Sequence, residues 1–143
     1  MYIPEYTKPT NPELVRNLIE KYPFATFVSV GADNEPYISH LPVVSQFDGT
    51  DTLIKIQGHL SKFNPHYEIL KNNKIVKVIF NGPHQYISPR WYKSGRDVPT
   101  WAYCVVHIQG EVKLEESFED ICRNLKDLTE NFEIGEEAWS FEL

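Results

Sequence analysis

The chain has 143 residues, 41% hydrophobic and 24% charged, which is the globular range and the size of one domain with a real core. A net charge of −6 with no long basic run counts against a free-standing DNA binder, whose affinity comes from neutralising phosphates. No apolar run is long enough to span a bilayer and the opening MYIPEYTKPT is not a signal peptide, so a soluble cytoplasmic protein without a membrane partner is expected.

Residues 1–9 read as an extended arm, since Pro4 and Pro9 discourage helix. A helix opens next: Thr10 with Glu13 matches a capping box and Pro12 suits the first turn. Leu14, Val15, Leu18, Ile19 and Tyr22 share its apolar face, and Pro23 ends it. Residues 24–30 form a strand, 31–36 a turn, and 37–45 a second strand in which Pro42 suggests an edge or a bulge. A hairpin connection over 47–51 leads to a third strand over 52–58.

That strand runs into GHLSKFNP, residues 58–65, the most informative stretch of the chain. Ser61 and Lys62 stand side by side just before a short helix expected over 64–72, with Pro65 in its first position. A hydroxyl, an ammonium and backbone N–H groups at a helix start together suit a phosphate. Against this stands the bland reading of a solvated turn, because Ser-Lys is a common surface pair. His59 borders the turn, either as a phosphate donor or ring contact or as a strand-end hydrogen bond.

A fourth strand is expected over 74–81, a turn at Gly82-Pro83, and a short fifth strand over 85–88. Residues 89–99 form a loop rich in basic and aromatic groups, among them Arg90, Trp91, Tyr92, Lys93 and Arg96. Strand returns over 100–113, broken near Gly110. The stretch from Tyr86 to Tyr103 suits a cover for a planar ring, since Trp and Tyr stack and Arg recognises phosphate. It suits a subunit interface equally well, and both hold if a ligand sits between subunits. Ser117 opens a final helix with Asp120 in the cap-box position; Phe118, Ile121, Cys122, Leu125, Leu128 and Phe132 follow helical spacing. The acidic tail over 133–143 holds Trp139 and Phe141 and is expected to dock.

Cys104 and Cys122 form no CxxC and read as buried free thiols in a reducing compartment. No two of the five histidines make an HxxxH or HExxH pair, which argues against a zinc site. His40 and His107 lie in strands, where a satisfied core histidine is the default. No Ser-His-Asp or Cys-His arrangement, GxGxxG or Walker motif is present, so no catalytic residue is assigned and enzymatic activity is left open. Five or six short strands with hairpin-like links, and helices at the margins, indicate a small antiparallel barrel.

MYIP, HLPVV (40–44), GHLSKFNP (58–65), GPHQYISPRWY (82–92) and VPTWAYCVVHIQG (98–110) occur in order, and over residues 1 to 113 the chain resembles the PaiB family of FMN-binding negative transcriptional regulators. The resemblance implies a Greek-key split β-barrel related to pyridoxamine-phosphate oxidase, a homodimer, and FMN near the subunit interface. It places Ser61 and Lys62 on the phosphate with Gly58 and His59 nearby, and brings the segments of Trp91, Trp101 and Tyr103 to the ring. Residues 1–143 are then one split-barrel domain; relatives are longer, so this is either a shortened relative or a chain lacking their C-terminal part. A flavin-dependent oxidoreductase and a haem-binding or haem-degrading split barrel are the alternatives to a regulator. Direct DNA binding is doubtful, since no helix-turn-helix is evident.

Overall fold

The computed structural model describes residues 2–9, 11–135 and 137–141. Five strands form one antiparallel arrangement: β1 (Phe24–Val30), β2 (Pro36–Phe47), β3 (Leu53–Gly58), β4 (Ile75–Ile87) and β5 (Thr100–Glu111), paired in the order β3-β2-β1-β4-β5. Three helices, α1 (Pro12–Lys21), α2 (Pro65–Asn72) and α3 (Phe118–Phe132), flank it. The mainly-β class expected from the sequence is therefore observed.

The core follows from the pleat. Alternate residues of a strand share a face, and in β4 Val76, Val78 and Phe80 all point inward and are buried. They meet Ala25 of β1, Val43 of β2 and Ile19 of α1, with Val15, Leu18, Val106 and Ile108 packed around them. Each fully buried large aliphatic or aromatic side chain contributes about 1.5–3 kcal/mol. Of the expected apolar face of α1, Leu14 is exposed instead, because that helix covers the sheet with its C-terminal turns. Arg16 anchors the helix from outside: its Nε donates to Glu20 and its Nη1 to Asp51, both at 2.9 Å, while the guanidinium lies over the Phe47 ring.

Several local expectations need correction. Asn11 caps α1, its side chain accepting from the Glu13 N–H at 3.0 Å; Thr10 lies outside the described residues. The N-terminal arm contains one 3-10 turn, Glu5–Thr7, which Pro4 tolerates at its start. Pro42 is in a central strand, not an edge: there β2 stops pairing with β1 (Phe24 opposite Pro42) and takes up β3 (Val43 opposite Gly58). Gly82-Pro83 does not end a strand. It is a bulge in one long β4, where the register with β5 shifts between Asn81 and His84. At Gly82 a Cβ would lie 3.0 Å from Leu18 Cδ1 and 3.1 Å from the Cys104 carbonyl, so helix and strand pack against its bare backbone. β5 runs unbroken through Gly110.

Other signals hold. Ser117 caps α3, accepting from the Asp120 N–H at 3.1 Å. Asp48 organises the β2–β3 hairpin by accepting from Thr50 N, Thr50 Oγ1 and Thr52 N, and these bonds hold its carboxyl below the usual range. Cys122 is buried under α3, but Cys104 is exposed on β5, outside the pleat that forms the core. His40 and His107 are likewise on exposed positions; His40 shares a 3.0 Å hydrogen bond with Thr26 Oγ1. In the tail, Phe141 lines a cleft with Phe118, Cys122 and Lys126 of α3, and Trp139 packs edge-on against it.

Candidate functional site

The turn from Gly58 to Asn64 leaves the end of β3 and enters α2. It is rigid for local reasons. Gly58 lies against β2, where a Cβ would come within 3.1 Å of the Pro42 carbonyl. Ser61 Oγ accepts from Phe63 N at 3.2 Å, and the Ser61 carbonyl accepts from Asn64 N at 2.9 Å. Asn64 then caps α2 by accepting from His66 N at 2.9 Å.

These bonds correct one expectation. The N–H groups of Asn64, His66 and Tyr67 are all taken by the turn and the cap, and Pro65 has none, so the start of α2 offers no spare backbone donor. Amides available to an anion lie earlier: those of Leu60, Ser61 and Lys62 enter no turn or cap hydrogen bond among the described residues.

Ser61 is exposed and Lys62 is half exposed, its side chain at 58%. Lys62 is already partnered. Its Nζ lies 3.0 Å from Oε1 of Glu116, in the link between β5 and α3. The same carboxylate oxygen accepts the Tyr67 hydroxyl. Lys62 and Lys71 both lie near the face of the Tyr67 ring, at 6.0 and 5.4 Å from its centroid. Bonding to Glu116, with some burial, pushes the Tyr67 hydroxyl up to about 12. The Tyr67 hydroxyl and the Lys62 ammonium together hold the Glu116 carboxyl below its usual range. One anionic oxygen of Glu116 is therefore held beside the turn by a cation and a hydroxyl, which is the chemistry a phosphate monoester requires. Lys62, the Ser61 hydroxyl and the free amides beside them fit that group.

Beneath the turn lies a polar network that sequence reasoning missed. His66 is 1% exposed; its Nδ1 is 2.9 Å from Ser39 Oγ, which also accepts from Asn64 Nδ2 at 3.2 Å. The other ring nitrogen, Nε2, is buried without a partner among the described residues. Burial lowers the pKa of this imidazole. The network ties β2 to the start of α2 and so fixes the floor of the turn.

The aromatic residues gather elsewhere. Trp101 and Tyr103, two apart on β5, share a face, at 59% and 64% exposure. Tyr86 and His84 of β4 stand beside Trp101, with ring centroids 6.0 and 6.1 Å away. Trp91 closes a 3-10 turn, Pro89–Trp91, capped by Ser88, and is also exposed. Ser61 and Lys62 thus follow β3, while Trp101 and Tyr103 lie on β5; these are the two outer strands of the pairing order. Among the described residues no hydrogen bond, ring contact or cation-π contact joins the two groups. Two clefts of the chain lie away from both, one between Ile19, Val43 and Asn131, the other along α3. Among the described residues no cluster of His, Cys, Asp and Glu is arranged to hold a metal, and no helix is long and apolar enough to cross a membrane.

Comparison with known proteins gives this geometry a context. The family described as "Putative FMN-binding domain" matches residues 1–142. The chain is 36% identical over 133 residues to "Protease synthase and sporulation protein PAI 2" of Bacillus subtilis, covering 93% of this chain and 62% of that one. It therefore spans less than two thirds of that relative. It is 30% identical over 137 residues to "Uncharacterized protein YKL070W" of Saccharomyces cerevisiae, covering 80% and 79%. Among solved structures it superposes, with TM-score 0.69 and 13% identity, on a "putative 5-nitroimidazole antibiotic resistance protein" from Bacteroides thetaiotaomicron, over 94% of this chain and 72% of that one. It also superposes, with TM-score 0.55 and 16% identity, on HutZ, a haem storage protein from Vibrio cholerae, over 84% and 74%. At such identities these two likenesses carry the fold alone, the split barrel. The family match supports FMN as the cofactor. By that match and the Bacillus relative, the chain belongs to the PaiB family of FMN-binding proteins.

Proposed function

We propose that the protein is an FMN-binding split-barrel homodimer of the PaiB type with a role in transcriptional regulation. The observation that carries the reading is the Lys62 ammonium, held on a short turn and already bonded to an anionic oxygen. In this reading Lys62 and Ser61 take the FMN phosphate, with Gly58 and His59 beside them. Trp91, Trp101 and Tyr103 approach the ring from a second copy. The separation of β3 from β5 in one chain and the exposure of the β5 aromatics favour that two-copy arrangement. Bound FMN would supply electron and hydride transfer, so the alternative of a flavin-dependent oxidoreductase needs no separate catalytic motif in the chain.

Regulation in this reading is indirect. Arg16 of α1 is committed to Asp51 and Glu20, and the chain is acidic overall, which leaves that helix poorly equipped for a phosphate backbone. The test is FMN titration of the purified protein, followed by flavin absorbance and fluorescence quenching, with light scattering on the same sample. Saturable uptake by a two-chain particle is expected; no uptake at high micromolar FMN overturns the reading. Haem added in parallel, giving a Soret shift where FMN gives nothing, would instead favour the haem-binding alternative.

A further inference from the structure

We propose that Glu116 is the resident counter-anion of the phosphate site: its carboxylate occupies Lys62 and Tyr67 in the empty protein, and a phosphate monoester binds by displacing it. The inference rests on the FMN reading and adds two residues to it, Tyr67 as a phosphate donor and Glu116 as the gate that phosphate must open.

Four observations meet here. Lys62 Nζ and the Tyr67 hydroxyl converge on one oxygen of Glu116, so a single anionic atom satisfies both donors. Tyr67 is 7% exposed, yet its hydroxyl has no other hydrogen-bond partner among the described residues; loss of the carboxylate leaves a largely buried donor in need of an acceptor. A phosphate oxygen is such an acceptor. Glu116 itself is half exposed and sits in a link outside any helix or strand, just before the Ser117 cap, so it swings into solvent without disturbing α3. Lys71 also lies near the Tyr67 ring, but its ammonium is 3.4 Å from Glu68, so Lys62 is the cation that a phosphate would take from Glu116.

Displacement makes binding an exchange of anions, with a specific signature. A ligand with a phosphate competes with Glu116, and the same ring system without phosphate does not. Removing the carboxylate charge therefore improves affinity for FMN and leaves riboflavin unchanged. The gain expected from releasing a half-exposed ion pair is about two- to fivefold.

The experiment compares wild type, Glu116→Gln and Tyr67→Phe by FMN and riboflavin titration, with carbon NMR of the Glu116 carboxyl. Supporting results are tighter FMN binding in Glu116→Gln, weaker FMN binding in Tyr67→Phe, and riboflavin binding unaltered by both. In wild type the Glu116 carboxyl should also return toward its ordinary titration range when FMN, but not riboflavin, is added. If FMN binds to wild type yet Glu116→Gln binds it equally well and the Glu116 signal does not move, the gate is wrong while the FMN site stands. If neither wild type nor Glu116→Gln takes up FMN, the parent reading fails and this one with it.

Discussion

Acidification should weaken the floor of the site before it affects anything else, and His66 is the reason. The ring is 1% exposed, one nitrogen is bonded to Ser39, and the other is buried without a partner among the described residues. It also stands in the first turn of α2, where the helix dipole disfavours positive charge. Tyr37, Ser39 and Asn64 surround it and none offers a negative charge. The folded-state pKa therefore lies below the ordinary value of 6.5, by desolvation. Between 6.5 and that lower value the unfolded chain carries one more proton on this group than the folded chain. Stability must then fall as pH drops through the window, by up to about 1.4 kcal/mol per pH unit for one proton. Below the folded value the loss from this group is complete. Asp48, Glu116 and Asp120, whose values are lowered by hydrogen bonds, withdraw their contribution only at more acidic pH, as they protonate. The assay is urea unfolding at half-unit steps from pH 8 to 5 on wild type and His66→Asn. Asparagine can place a polar atom where Nδ1 meets Ser39 but does not titrate. The variant loses ring packing and is less stable throughout, so the slope is the readout. Wild type should lose stability toward pH 5 more steeply than the variant. Parallel slopes would refute the argument that a buried neutral imidazole supports this turn.

Three further outcomes follow from the packing and the proposed assembly. Phe80→Ala removes a ring that is fully buried, and should cost about 3–5 kcal/mol in urea unfolding; a loss below about 1 kcal/mol would mean the core is not centred on β4. Gly82→Ala should destabilise by about 1–3 kcal/mol, because the Leu18 side chain can yield but the Cys104 carbonyl of β5 cannot. Trp101→Glu combined with Tyr103→Glu should shift the light-scattering mass from two chains to one with native circular dichroism; an unchanged dimer would place the interface elsewhere.

The fold was largely legible because β-branched and aromatic runs such as FATFVSV and KIVKVIF carry a strong period. Prolines and glycines misled where tertiary pairing overrode local chemistry. Pro42 looked like an edge, but a strand that changes partner at one residue needs no N–H donor there, and proline has none. Gly82-Pro83 looked like a turn, but a bulge uses the same residues to let Leu18 close on the strand. Of the site, the turn with Ser61 and Lys62 was visible because its residues are adjacent in sequence. Glu116 was not, since it reaches Lys62 from the far end of β5 and nothing local marks it. His66 had only the Asn-Pro helix start before it as a hint; its burial depends on Ser39 across the sheet. The proposed approach of the β5 aromatics to Ser61 and Lys62 calls for a second copy, and a sequence does not specify where that copy would sit.

The central claim is that Lys62 selects the phosphate of a flavin, and the ratio of riboflavin to FMN dissociation constants tests it most directly. Wild type should prefer FMN, and Lys62→Ala should lose roughly tenfold of that preference, as expected for one charge-assisted hydrogen bond. A preference for FMN that survives Lys62→Ala intact would put the phosphate somewhere other than the turn at the end of β3.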